Sequence, residues 1–218
     1  MNQQAYPESL LKPPLSKQQL RREMRKKRCS LSPFQQKKAA QKLKSTLIKS
    51  DLFKRSKHIA IYLANDGEID PSHFINTLWR CQKHCYLPVL HPTKKNCLWF
   101  YQYRRNTILK KNRFGILEPS IKNKRRVSPW ALSLVLFPLV AFDSKGGRLG
   151  MGGGFYDRTF EFTQPKKKGS TPARTQLYGL AHHFQQVESI PLEKWDIPLH
   201  GIATDKRLYQ TKTLYQTS

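Results

Sequence analysis

Six of the chain's 11 glycines lie between positions 146 and 154, inside the segment FDSKGGRLGMGGGFYDR at 142–158. Glycine tolerates positive φ and lets a backbone come close to a ligand. The segment follows the most apolar strand candidate and precedes a helix, the place where open α/β sheets bind ligands. Free backbone N–H groups in such a loop suit phosphate oxygens. Two well-known phosphate loops do not match. No Lys-Ser/Thr pair follows Gly152 or Gly153, as G-x-x-x-x-G-K-[ST] requires. Phe155 stands where G-x-G-x-x-G requires its last glycine. Arg148, Tyr156 and Asp157 are built into the loop. Asp157 reads as a Mg2+ ligand, because phosphate-rich substrates usually arrive with Mg2+ held by one or two carboxylates and the phosphates themselves. The same residue in a first helical turn would also favour the helix dipole.

Outside the loop, Lys17 and Arg21 are four residues apart and share a helix face. Two cations there suit a polyphosphate. A solvated face is the commoner reading, since Arg22, Arg25, Lys26, Lys27 and Arg28 crowd the same helix. Carboxylates are scarce: Glu68 is one of four between 61 and 130.

The elements that must position these groups alternate between helix and strand. Ser16 with Gln19, and Ser32 with Gln35, are capping-box pairs that predict helices over 17–29 and 33–48. HIAIYLA (58–64), HCYLPVLH (84–91), CLWFYQY (97–103), LSLVLFPLV (132–140), LYGLAHH (177–183) and GIATD (201–205) read as strands. Asp70-Pro71 opens a helix through Trp79, and Phe155 another through Phe162. The run at 132–140 is apolar on both faces, which suits a central strand covered by helices on each side. The fold class is therefore α/β, with a largely parallel sheet. The basic stretches 104–113, 122–126 and 164–174 read as connections.

With 218 residues, the chain is long enough for one domain with a real core. Residues 1–15, with three prolines, read as a flexible lead-in, and 16–218 as a single domain. The formal charge is +26, and 38% of residues are hydrophobic. The charge predicts anionic partners, and the apolar content excludes disorder throughout. Residues 1–60 hold 16 basic and 3 acidic side chains, whereas 131–218 hold 11 and 7. No secretory segment or apolar stretch long enough to span a bilayer is present, since ALSLVLFPLVAF is 12 residues and contains Pro138. Four cysteines do not make a disulfide framework. A cytoplasmic protein is the expectation, without membrane association.

The run G-x-R-L-G-x-G-G-G-F-Y-D-R resembles the signature of the 5-formyltetrahydrofolate cyclo-ligase family, also called methenyltetrahydrofolate synthetases, of the bacterial type. K-Q-Q-L-R near the N-terminus, Y-L-A-N-D-G-E-I-D at 62–70, F-G-I-L-E-P at 114–119 and W-D-I-P at 195–198 extend the resemblance from Lys17 to Thr204. It implies a layered α/β/α fold with a central, mostly parallel sheet, like that of the NagB/RpiA/CoA-transferase group. It implies an enzyme that uses ATP and Mg2+ to convert 5-formyltetrahydrofolate to 5,10-methenyltetrahydrofolate, releasing ADP and phosphate. The formyl oxygen takes the γ-phosphoryl group, N10 attacks the activated carbon, and phosphate leaves as the ring closes.

By the same resemblance, ATP contacts fall to Lys17, Arg21, Arg148, Leu149, Gly150, Met151, Gly152, Gly153, Gly154, Phe155 and Tyr156. Arg148 and Tyr156 are the candidate catalytic residues, and Asp157 and Asp196 the Mg2+ ligands. Leu63, Glu68 and Phe114 line the folate site. Many relatives carry Lys at the position of Gly153 and Tyr at that of Phe155. Arg148 is then the replacement cation for the γ-phosphate. Many also carry an acid near His200. The partners expected are these small molecules, acting on a monomer.

Two rival classes follow from other segments. W-F-Y-Q-Y-R-R at 99–105 mixes aromatics with arginines, as nonspecific RNA-binding surfaces do, although no RRM, KH or helix-turn-helix signature is present. A folate-binding relative that has lost turnover is the other. Cys81, His84, Cys85, His91 and Cys97 lie within 17 residues, but Cys-x3-Cys is a poor zinc spacing.

Overall fold

A computed structural model describes residues 15–120, 125–164, 174–191, 193 and 195–211. Most of the expected N-terminal lead-in, and most of the basic stretches 122–126 and 164–174, lie outside the described residues.

Both capping boxes form. Ser16 Oγ accepts from Gln19 N at 3.2 Å, while Gln19 Oε1 accepts from Ser16 N at 2.9 Å. Helix α1 follows, Lys17–Cys29. Ser32 and Gln35 repeat the exchange at the start of α2, Pro33–Ile48. A short helix α3, Asp51–Arg55, leads to strand β1, His58–Ala60. Helix α4 spans Ser72–Arg80, with Asp70 Oδ1 accepting from Ser72 N at 2.8 Å. Strands β2 (His84–Leu90), β3 (Leu98–Gln102), β4 (Leu109–Lys111), β5 (Leu117–Pro119), β6 (Arg126–Val127) and β7 (Leu134–Pro138) come next. Then come β8 (Ala141–Phe142), β9 (Arg148–Leu149), helix α5 (Phe155–Phe160), β10 (Gln176–Ala181), β11 (Gly201–Thr204) and β12 (Leu208–Gln210).

Eight strands make one sheet in the order β12-β11-β10-β7-β1-β2-β3-β6. The five from β11 to β2 run parallel; β12 at one edge and β3 beyond β2 run opposite to them, and β6 at the far edge pairs antiparallel with β3. Side chains alternate along β7. Leu134 and Leu136 join a core cluster with Leu43 and Leu47 of α2 and Phe74 and Leu78 of α4. Val135 and Phe137 face the opposite layer, with Phe160 of α5, Leu139 and Ile197. Both faces of the central strand are thus covered, as its continuous apolar run predicts.

Three expectations change. The strand predicted over 58–64 ends at Ala60. Ile61 still donates to Tyr86 O at 2.9 Å, but Tyr62 turns into the core and its hydroxyl donates to Ile69 O at 2.8 Å. The helix predicted to reach Phe162 ends at Phe160 and gives way to a 3-10 turn over Glu161–Thr163. The basic connection 104–113 contains β4, which pairs with β5 in a separate hairpin. That hairpin is anchored by the buried Glu118 carboxylate, which accepts from Leu90 N at 3.2 Å and Asn112 Nδ2 at 3.1 Å.

Candidate active site

Three neighbouring parallel strands, β1, β7 and β10, end on the same side of the sheet. The segment carrying Leu63 and Glu68 leaves β1, the glycine loop follows β7, and His182 follows β10. This common edge is where side chains from separate segments converge.

The glycine loop is fixed at its base by a buried carboxylate. Asp143 Oδ1 accepts from Lys145 N at 2.9 Å and Gly147 N at 2.8 Å, and Oδ2 accepts from Ile190 N at 2.9 Å. This turn closes the β8–β9 hairpin, which delivers Arg148 and Leu149. Gly152 and Gly154 then take φ of +94° and +62°, a left-handed backbone that disfavours other residues. Among the described residues, the backbone N–H groups of Met151 to Gly154 donate to no carbonyl. Gly153 lies under the Phe155 ring, so a Cβ at 153 would sit 2.7 Å from ring carbons.

Arg21 and the loop meet directly. Its Nε donates to Gly150 O at 2.9 Å, and its guanidinium lies against Gly152. Lys17, one turn earlier on α1, pairs with Glu193 at 2.9 Å. Glu193 N in turn donates to Asp196 Oδ2 at 2.8 Å.

Arg148 is the hub of the second group. Its guanidinium pairs with Asp157 Oδ1 and donates to the carbonyl of Ile197. Ile197 N also donates to Asp157 Oδ1, at 3.3 Å. Asp196, adjacent in the chain, lies close enough for its charge to act on Arg148. The Arg148 guanidinium lies 5.6 Å from the Phe137 ring centroid. Burial pushes the Arg148 pKa down, opposed by the charges of Asp157 and Asp196. Asp157 Oδ2 and Asp196 Oδ1 have no partner among the described residues.

The donor set fits Mg2+: two carboxylate oxygens are spare, the hard oxygen chemistry suits the ion, and phosphates would complete the shell. No three His, Cys, Asp or Glu side chains among the described residues make a metal cluster of their own. Cys85 is in the core whereas Cys81 is exposed at the end of α4, so these two thiols occupy separate environments. His200 is tied to strand β10, its Nδ1 accepting from Leu177 N at 3.1 Å.

Glu68 and Tyr156 share the next recess. Tyr156 stacks on Phe137 at 4.7 Å between centroids. Burial pushes its hydroxyl pKa upward, and the Glu68 charge adds to the shift. Tyr62 is raised by the same two causes, with smaller contributions from Tyr156 and Asp70. The Glu68 carboxyl is itself pushed up to about 7, chiefly by burial, against a hydrogen bond from Asn65 N and the nearby charge of Arg28. Leu63 packs at the margin of the α2–α4 core. Phe114, 53% exposed at the β4–β5 turn, meets Phe155 edge-on at 6.0 Å. Phe114 thus meets the end of the glycine loop at Phe155, Glu68 acts electrostatically on Tyr156, and Leu63 packs on the core.

The sequence reading missed Glu193, Phe137 and Arg28. Arg28 looked like one more solvated cation, yet it is 1% exposed. The W-F-Y-Q-Y segment is largely internal: Phe100 and Tyr101 are buried, and Trp99 is flanked by Arg126 and His91. No described helix is long and apolar enough to cross a membrane.

The chain is similar to proteins from several bacteria. It is 45% identical over 187 residues to the 5-formyltetrahydrofolate cyclo-ligase of Haemophilus influenzae, covering 85% of this chain and 96% of that one. The Escherichia coli K12 enzyme of the same name is 40% identical over 188 residues, covering 86% and 99%. Among solved structures, the NMR structure of Aquifex aeolicus 5,10-methenyltetrahydrofolate synthetase superposes with a TM-score of 0.74 at 29% identity, covering 93% of this chain and 96% of that chain. The Mycoplasma pneumoniae synthetase shares the fold, with a TM-score of 0.66 at 24% identity over 88% and 99%. Residues 14–205 match the family itself, and the chain therefore belongs to the 5-formyltetrahydrofolate cyclo-ligase family.

Proposed function

We propose that this protein is an ATP- and Mg2+-dependent ligase that closes 5-formyltetrahydrofolate to 5,10-methenyltetrahydrofolate, with release of ADP and phosphate. The observation that carries this reading is the convergence of the glycine loop with Arg21, the Arg148–Asp157 pair and the Glu68–Tyr156 recess at one sheet edge. Family membership supplies the reaction.

In this reading the backbone N–H groups of Met151 to Gly154 cradle the ATP phosphates. Arg21 holds the loop and meets the polyphosphate, and Lys17 exchanges Glu193 for a phosphate oxygen. Asp157 and Asp196 would hold Mg2+, which supplies charge neutralisation on the phosphoryl oxygens. Arg148 orients Asp157, and adds positive charge where negative charge develops. Tyr156 is protonated at neutral pH, as a phenol ordinarily is, and burial raises its pKa further, so its hydroxyl can donate to an oxygen. Glu68, when ionised, accepts from the pterin amino and ring N–H groups, and Leu63 and Phe114 supply apolar contact. Residues of this kind position and stabilise charge; no side chain need act as a nucleophile.

Incubating the purified protein with 5-formyltetrahydrofolate, ATP and Mg2+ tests this. The ultraviolet absorbance of the methenyl product should appear, and omitting any one component should abolish it. No product, together with tight and salt-sensitive RNA binding, would overturn the reading.

A further inference from the structure

Arg28 is the side chain that this account leaves without a task. It is 1% exposed, yet Nε and Nη1 have no hydrogen-bond partner among the described residues. Its Nη2 reaches Asp66 Oδ2 at 3.3 Å. Burying a guanidinium with so few partners is costly, and an apolar residue of similar volume would serve packing alone at least as well.

Its surroundings point to the turn that carries Glu68. Asp66 and Gly67 both adopt positive φ, at 54° and 72°. Gly67 is pressed against α1, so that a Cβ there would lie 2.8 Å from the carbonyl carbon of Arg28. Gln36 Nε2 donates to Arg28 O at 3.3 Å and Gly67 O at 3.2 Å, binding helix and turn together. His182 Nε2 lies 3.2 Å from Gly67 O on the far side. Arg25 Nε clamps Asp66 from the solvent side at 2.8 Å. Asn65 N donates to Glu68 Oε2 at 3.1 Å and closes the turn.

We infer that Arg28 is a positioning residue for the folate half of the reaction: through Asp66 and Gly67 it holds the 65–68 turn, and it places a permanent positive charge beside Glu68. This rests on Glu68 belonging to the folate site. The groups that face the carboxylate or its turn are Arg28, Arg25 and Cys29 from α1, Asp66 in the turn, Tyr62 after β1, Tyr156 from α5 and His182 after β10. Of these, Arg28 is the cation that favours ionised Glu68, while burial and Asp66 disfavour it. Ionised Glu68 is the form that accepts two N–H donors.

The test is steady-state kinetics of the full chain across pH, with E68Q, R28M, R28K and D66N. E68Q should raise the KM for 5-formyltetrahydrofolate by about tenfold. R28M should raise the same KM by about tenfold while leaving the KM for ATP within about twofold. It should also move the acid limb of kcat/KM for the folate to higher pH, since removing a nearby positive charge raises a carboxyl pKa. R28K, which keeps the charge, should return the limb toward wild type. If R28M does not fold by circular dichroism, D66N decides: it should raise the folate KM by about threefold or more without changing that for ATP. A folded R28M with wild-type folate KM and acid limb, or, where R28M does not fold, D66N with wild-type folate KM, would overturn the role of Arg28. If E68Q itself leaves the folate KM unchanged, the placement of Glu68 fails and the inference fails with it. If E68Q raises that KM and the Arg28 and Asp66 variants do not, the role of Arg28 alone fails.

Discussion

Arg21 donates its Nε to the carbonyl of Gly150 at 2.9 Å, joining the first helix to the glycine loop across 129 positions of sequence. The bond ends one residue before Met151 to Gly154, whose N–H groups donate to no carbonyl among the described residues, so on the proposed reading Arg21 orders the nucleotide-binding loop. R21A should raise the KM for ATP by about tenfold or more, with a smaller change in that for the folate. Initial rates at varied ATP and fixed folate check this; an unchanged KM for ATP would separate Arg21 from the nucleotide.

Asp157 and Arg148 form an ion pair in which the arginine side chain is only 8% exposed. D157N keeps the shape but leaves the guanidinium without its anion and, on the proposed reading, removes a magnesium ligand. Turnover should fall by at least about a hundredfold. The fold should persist with a stability loss of about 1–3 kcal/mol, because the carbonyl of Ile197 still accepts from Arg148. Circular dichroism, thermal melting and the rate assay together check this outcome, and wild-type turnover in D157N would remove the residue from the metal site.

Two glycines with nearly equal φ should respond unequally to alanine. Gly67 at +72° would drive its Cβ into the Arg28 backbone, whereas Gly115 at +74° has nothing within 4 Å. G115A should cost about 1 kcal/mol, the left-handed penalty alone. G67A should cost more than about 2 kcal/mol and weaken folate binding as the turn shifts. Urea unfolding of both variants measures the difference.

Much of this arrangement could be read from local pattern. Ser16 with Gln19, and Ser32 with Gln35, specify helix starts within four residues, so tertiary structure had nothing to override. The two-faced β7 announced its central place, and the glycine run announced the loop. What could not be read depends on partners distant in sequence. Nothing near Lys17 points to Glu193, 176 positions away. Tyr62 continues an apolar strand pattern, yet its hydroxyl finds Ile69 O and the strand stops. Arg28 has the sequence context of a solvated cation, and only the packing of the 65–68 turn against α1 buries it. The grouping of Asp157 with Asp196 came from family resemblance alone; what the structure adds is that Arg148 and Asp157 both bond to the Ile197 backbone, next in the chain to Asp196.

Glu68 sets a pH dependence of stability. Its carboxyl is raised from 4.5 to about 7 in the folded chain, mainly by burial. The native state therefore binds the proton more tightly than the unfolded state. That contribution is fully present below about 4.5 and is lost as pH rises through about 7. At pH 8 the ionised carboxylate costs stability on the order of 1–3 kcal/mol. E68Q should accordingly be more stable than wild type at pH 8 and little different at pH 5, while losing folate affinity. Melting temperatures of the two proteins at both pH values check the sign.

The most direct measurement follows the formyl oxygen itself. 5-Formyltetrahydrofolate labelled with 18O in the formyl group is converted with ATP and Mg2+, and product, ADP and phosphate are quantified from the same reaction. Phosphorylation of that oxygen at the glycine loop predicts one ADP per methenyl product, with the label recovered in inorganic phosphate. Product formed without ADP, or phosphate free of the label, would contradict the account.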